Sequence, residues 1–368
     1  AKVSSVDRVK LKMISADIHI AEGKWTKAKK VYREIYNSLK SEKEVRKNLF
    51  YDNLNWAVVL SFNNENNEAE KIALAAIENN EDIFGSDHAN TAMARGVLAL
   101  VKSRTGATTE SKEIYEEIIP IFVRSRDGDA VSASDSQKMR LIIESYISLL
   151  ESEYKSGNKN SAHRAFYVSQ LIQGKDVQNA VASSAARARN KDPELVKLVY
   201  QEQNTLKKIE SGYNTIVTNH SISNDESKSL IKDTKPTIDQ LVKAREAILV
   251  ESNNRFPDYA NLVRSKPVEI EKLKSVLLNT ESLIVTYSGS NDIYTWTVLP
   301  DGRVHFHSAK ISKDGLNAKV ATLSADSHHA IKVRDLTKYY GRPGRGMLAV
   351  DHISFNVRRG KVFGFLGP

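Results

Sequence analysis

Over roughly the first 170 residues, apolar positions recur at helical spacing in paired segments separated by short polar turns. Aligned on itself, the chain shows a fixed register. Ala16, Ala57 and Ala99 lie 41 and 42 residues apart, and the sets Ala28, Ala69, Ser111 and Tyr32, Ala73, Tyr115 repeat the same two spacings. Within a unit, 12 residues separate the first small residue from the second, and 4 more reach the third position. Gly157, Ala162 and Phe166 stand in a fourth unit where Gly106, Ser111 and Tyr115 stand in the third. The pattern predicts two antiparallel helices per unit. Small residues at their crossing let the backbones approach, and residues such as Tyr32 and Ile35 fill the groove to the next unit. Gly23 and Gly106 fall at the turns, where a left-handed backbone ends a helix at low cost, and Asn64 takes that place in the second unit. Trp25 is expected to pack on the turn it follows. A single unit cannot bury its apolar face alone, so the units must stack.

Beyond Gly174 the register stops. Residues 176–217 carry apolar positions at heptad spacing (Leu195, Val199, Leu206, Ile209, Tyr213 and Ile216), interrupted at Glu202, with Asn204 and Lys207 outside the seam. A break is expected at Thr218-Asn219-His220-Ser221. A second helix follows from about Asp225 to Asn253, with Pro236 near the start of its main segment, and the two are expected to pair antiparallel. From Ser282 the pattern becomes extended. Leu283–Tyr287, Ile293–Val298 and Val304–His307 read as strands joined by the turn clusters Ser288–Asp292 and Pro300-Asp301-Gly302, and Ile311–Leu323 begins a helix. Composition shifts again at Ser327-His328-His329: six of the 17 glycines fall in the final 39 residues.

At 368 residues the chain can hold two or more domains, each with its own core. No window reaches the run of about 18 apolar residues that would cross a bilayer. Ala1-Lys2-Val3-Ser4-Ser5 has neither the basic nor the apolar part of a secretory leader, so a cytoplasmic location is expected. There is no cysteine, hence no disulfide, thiolate metal site or cysteine nucleophile in these residues. The net charge of +9 is unevenly placed. From Ala330 onward eight Lys and Arg face two Asp, a net +6, which leaves +3 for the 329 residues before it. A nucleic-acid-binding surface would concentrate charge on the repeats, so no nucleic acid is expected as partner. His305 and His307 share one strand face, but no carboxylate follows at metal-binding spacing, so they read as solvent-facing strand residues.

The repeat resembles tetratricopeptide repeats (TPR), in the longer variety of kinesin light chains. Glu81–His88 followed by Asn90-Thr91-Ala92 is similar to that variety's linker, Gly-x-x-His-x-x-Thr, in which His88 is a packing or capping residue. The resemblance implies a superhelix whose first helices line a concave groove for a protein or peptide, with Tyr51, Leu54, Ser61, Met93, Ser103 and Arg104 as candidate partner-binding residues. Val177-Gln178-Asn179-Ala180, Ala185–Arg189, Asp192-Pro193-Glu194-Leu195 and Gln201-Glu202-Gln203 resemble the segment before CHAT domains, caspase-like domains behind bacterial TPR arrays; Arg255–Tyr259 and Val276–Leu283 fit the same pattern. The strands from Ser282 resemble the opening meander of that domain. The family's catalytic His and Cys would come from later strand ends, which this sequence lacks, so no catalytic residue is assigned and no enzyme activity is expected of the chain as given. Residues 330–368 resemble the first strands of an ABC-transporter ATP-binding subunit, which would make Tyr340 the adenine-stacking aromatic and Gly367 the first glycine of the phosphate loop. The rest of that loop is not in the sequence, so no cofactor is expected; ATP would enter only with a complete domain.

The expected fold class is mainly α: a TPR-type helical superhelix plus a helical connector, followed by short incomplete α/β segments. The expected divisions are 1–174 for the repeat array, 175–270 for the connector, 271–326 for the start of a CHAT-like domain and 327–368 for an ABC-like fragment. A gene fusion, an interrupted reading frame or an assembly error would each leave such a junction near Ser327. The expected function is a protein-interaction scaffold from a CHAT-type protein. The alternatives are a caspase-like cysteine peptidase in the intact product, and an ABC-transporter ATP-binding fragment.

Overall fold

Four turns built alike organise the helical part of the chain. The residues predicted to be left-handed are so: Gly23 (φ 68°), Asn64 (φ 65°), Gly106 (φ 86°) and Gly157 (φ 108°). At each, the left-handed residue donates its N–H three residues back (Gly23 to Ile20, Asn64 to Ser61, Gly106 to Ser103, Gly157 to Tyr154). The next residue donates five back (Lys24 to His19, Glu65 to Leu60, Ala107 to Lys102, Asn158 to Glu153). This pair of bonds satisfies the last carbonyls of the preceding helix and reverses the chain.

The computed structural model describes residues 5–125, 133–173, 192–220, 225–257, 259–260, 267–311, 315–319, 329–340 and 347–358. The four turns join α1 (Ser5–Ala21) to α2 (Trp25–Ser38), α4 (Leu54–Phe62) to α5 (Asn66–Phe84), α6 (Ala89–Arg104) to α7 (Thr108–Ser125) and α8 (Ala133–Lys155) to α9 (Asn160–Ser169). The described residues are mainly helical with a smaller β part, and α5, α6 and α7 stack as successive members of a helical repeat. All nine register residues of the first three units are buried, none more than 1% exposed. The crossing is hydrogen-bonded as well as close: Ser111 Oγ donates to the Ala99 carbonyl at 2.8 Å. Gly96 on α6 is another close approach, since a Cβ there would meet Ile142 Cδ1 at 2.8 Å and Ile118 Cδ1 at 3.1 Å.

Between the first two hairpins lies a helix the register did not anticipate, α3 (Lys43–Phe50). Its Phe50 is buried against Tyr32, Tyr36 and Trp56. α4 starts only after Asn53, whose side chain accepts the Trp56 N–H. Trp25 also reaches the next hairpin: its ring stacks on Phe62 at 4.0 Å, because α2 begins at Trp25 and carries the ring towards the neighbouring unit. The Gly85–Thr91 linker has a local logic. Gly85 (φ 88°) ends α5, His88 caps α6 by accepting the Asn90 N–H, and Thr91 Oγ1 donates to the Gly85 carbonyl at 2.7 Å.

The connector contains the predicted helical pair, α10 (Pro193–His220) and α11 (Asp225–Arg255), packed along their lengths. α10 continues through Thr218 and Asn219 to His220, past the start of the expected break, and α11 runs through Pro236. Leu195 is buried as the seam requires, but in the second turn the seam is offset, with Leu198 buried and Val199 half-buried. Glu202, the interruption, pairs with Arg245 at 2.9 Å, both largely buried. The segments expected at 176–191 and 261–266 lie outside the described residues.

After the short α12 (Ile270–Lys274), β1 (Leu283–Ser288), β2 (Asp292–Val298) and β3 (Val304–Lys310) form a sheet of order β1-β2-β3. Gly302 (φ 82°) makes the β2–β3 turn, closed by the Leu299 N–H bonded to the Arg303 carbonyl. Of the expected helix from Ile311 to Leu323, residues 315–319 are helical and those from 320 lie outside the described residues. β4 (His329–Tyr340) and β5 (Met347–Arg358) pair antiparallel, with register shifts around Leu336. There Asp335 (φ 53°) donates its N–H to Ser354 Oγ, and His352 (φ 47°) to Thr337 Oγ1, so hydroxyls replace acceptors lost to the bulges. The chain divides into two compact units. One comprises Ala1–Tyr287 with Thr295–His307; the other comprises Ser288–Tyr294 with Ser308–Pro368.

Candidate functional site

The first helices carry a polar chain that ties three hairpins together. Asn55 on α4 donates through Nδ2 to Asp17 of α1 at 2.9 Å, and its Oδ1 accepts from Lys138 Nζ of α8 at 2.9 Å. Lys138 is 8% exposed and also pairs with Asp135 at 2.9 Å, which gives a buried ammonium the partners it needs. Burial pushes the Asp17 carboxyl up, opposed by the Asn55 hydrogen bond and the Lys138 charge. A second ladder runs past the turns: Trp25 of α2 stacks on Phe62 of α4, and the Arg104 guanidinium of α6 lies 4.3 Å from the same Phe62 ring.

The structure gives the predicted partner-binding residues different surroundings. Tyr51 is exposed but outside any first helix, because α3 ends at Phe50 and α4 begins at Leu54. Ser61 is fully buried; its Oγ donates to Asn66 Oδ1 and its carbonyl accepts from Arg104 Nε at 3.2 Å, so it belongs to the turn instead of a free face. Arg104 remains on the surface over Phe62. Leu54 and Ser103 are half-buried at opposite ends of neighbouring first helices. Met93 is buried and lines a cavity of 460 Å³ together with Phe84, His88, Met139 and, from the connector, Leu206 and Tyr213. His88 stacks on Phe84 at 4.6 Å and meets the Tyr213 ring edge-on at 4.9 Å. Burial lowers its pKa to about 4.

A site the register did not reveal lies under α3. Tyr36, Lys43, Arg46, Lys47, Phe50, Tyr51, Trp56, Glu68, Lys71, Ile72 and Ala75 enclose a cleft of 370 Å³. Its sequence signal is the helical spacing of Lys43, Arg46 or Lys47, and Phe50, which puts cations and an aromatic on one side of a short helix.

His305 and His307 are exposed on β3, as their alternation with Val304 and Phe306 required. Among the described residues no three His, Asp or Glu groups come together to hold a metal ion, and no helix is long and apolar enough to cross a membrane. Tyr340 ends β4, and Gly367 lies outside the described residues. Compared with protein-family models, with curated proteins and with solved structures, the chain matches none of them.

Proposed function

We propose that the chain is a protein-interaction scaffold of tetratricopeptide type. One observation carries the reading: the same two-bond left-handed turn recurs at Gly23, Asn64, Gly106 and Gly157, each joining two helices of one hairpin. A stack of hairpins spreads its stability over nearest-neighbour contacts and presents a continuous row of first helices, a surface suited to an extended partner. The partner face in this reading is the row of first helices, with Leu54 at the start of α4 and Arg104 at the end of α6 as the two points that test it. The connector and the β1–β3 meander belong to the same CHAT-type protein, whose helical part recruits while its other part acts.

Selection of a random peptide display library on the immobilised 368-residue chain tests this. Enriched peptides should lose at least ~10-fold in affinity for the Leu54→Glu/Arg104→Glu variant. The peptides lost in that variant should keep their affinity for Lys71→Glu, and circular dichroism should show unchanged helicity. Peptides that bind both variants alike, or no enrichment at all, would sink the proposal.

A further inference from the structure

We infer that the cleft under α3 is a second docking site, and that its ligand is an acidic peptide segment with one large apolar side chain. The cleft stands on the second-helix side, between α2 and α5, with α3 laid across it. It does not require the first-helix margin to bind anything.

Two observations converge on this ligand. The first is charge. Some cations on neighbouring helices are matched to carboxylates: Lys29 and Arg33 of α2 pair with Glu65, and Lys102 of α6 pairs with Glu70 and Glu110. Lys43, Arg46, Lys47 and Lys71, which rim the cleft, have no carboxylate partner among the described residues. The cleft's one carboxylate, Glu68, is already shared with Arg33 at 3.5 Å. Four positive groups therefore converge on a partly enclosed space whose own negative charge is engaged elsewhere, and such a cleft concentrates anionic ligands. Two of the four rest on aromatic faces at the rim. The Arg46 guanidinium is 4.7 Å from the Tyr36 ring centroid, and Lys47 Nζ is 6.0 Å from that of Tyr51.

The second observation is the lining. Phe50, Trp56 and Ile72 are buried, and Ala75 adds a small wall residue. An apolar pocket with a ring of cations at its mouth fits one large apolar side chain flanked by carboxylates, the arrangement of an anchored peptide. A single-stranded nucleic acid fits less well. It needs a groove that follows the phosphate backbone and offers successive stacking platforms, whereas here the cations occupy one short helix and a single residue of α5.

Fluorescence anisotropy on the full chain tests the inference. The probes are labelled Asp-Glu-Asp-Leu-Asp-Glu-Asp, the same peptide with Ser for Leu, the same with Lys for every acid, and a short oligo-dT. The acidic Leu peptide should saturate, weaken as salt rises, and bind several-fold more tightly than the Ser version. Lys43→Glu/Lys47→Glu and Lys71→Glu should each reduce that affinity by at least ~10-fold. Leu54→Glu/Arg104→Glu should not, which separates this site from the first-helix reading. The inference is overturned if the Lys-substituted peptide binds as well, if the charge reversals change affinity less than twofold, or if oligo-dT binds more tightly and loses its binding in the same variants. The reversed lysines are exposed, and circular dichroism verifies that each variant is folded.

Discussion

His88 accepts the Asn90 N–H through Nδ1, lies flat on Phe84 and meets Tyr213 from the side. Charging that ring would put a cation where water is largely excluded, and burial accordingly lowers its pKa from 6.5 to about 4. Between those values the unfolded chain binds a proton that the folded chain refuses. Stability therefore rises with pH through this window and is lost as pH falls from about 6.5 towards 4. Asp135 and Glu210 line the same cavity, and Asp135 is paired with Lys138. His88→Asn keeps an acceptor for the cap and has nothing to titrate. Thermal melts across pH 4–7 should show the wild type losing ~1–3 kcal/mol relative to His88→Asn as the pH drops through the window. Parallel curves for the two proteins would mean that the ring is solvated.

At the level of elements, the α10–α11 hairpin shows what a sequence pattern can and cannot reveal. The heptad residues Ile209 and Ile216 are buried, with Tyr213 packed against their cluster and Ile238 entering from α11. Glu202 looked like a fault in the seam because its partner lies 43 residues away on the other helix, and periodicity carries no information about a cross-helix ion pair. Arg245 and Glu202 are 16% and 14% exposed, so the pair is nearly as dry as the apolar seam around it. Removing the carboxylate alone, Glu202→Ala, should cost ~2–4 kcal/mol. The double change Glu202→Leu/Arg245→Leu should be neutral or stabilising, because neither charge is then desolvated. Gly212 marks a close approach of the same pair, where a Cβ would meet Ile238 Cγ1 at 2.7 Å. Gly212→Ala should therefore destabilise by ~1–3 kcal/mol despite its better helix propensity. Urea titrations of these variants decide the point; a Glu202→Ala protein as stable as the wild type would make the pair a surface accident.

On the scale of the whole chain, the repeat was legible because it is local: small residues, turn glycines and aromatic fillers return at fixed spacing. α3 and its cleft were not legible, since they occur once, between two repeats, and break the register there. The burial of Ser61 was not legible for a related reason, because the register fixes which helix a residue occupies but not how far the next turn covers it. The seating of the meander on the last hairpin was also invisible in the sequence, as it depends on contacts across more than 130 residues. Trp296 Nε1 donates to the Ala162 carbonyl at 3.1 Å, with its ring stacked on Phe306 at 4.9 Å and set edge-on to Phe166 of α9. Tyr287 hydroxyl donates to Glu144 of α8 at 2.7 Å. A repeat array leaves the outer face of its last helices uncovered, and these contacts make the strands the cover of α8 and α9. Trp296→Ala should then do more than empty a pocket: it should cost ~3–5 kcal/mol and expose α9 as well as β2. Hydrogen exchange on the variant should show faster amide exchange in Asn160–Ser169 together with Asp292–Val298, while α4 to α6 keep their protection. Acceleration limited to the strands would show that α8 and α9 are complete without them.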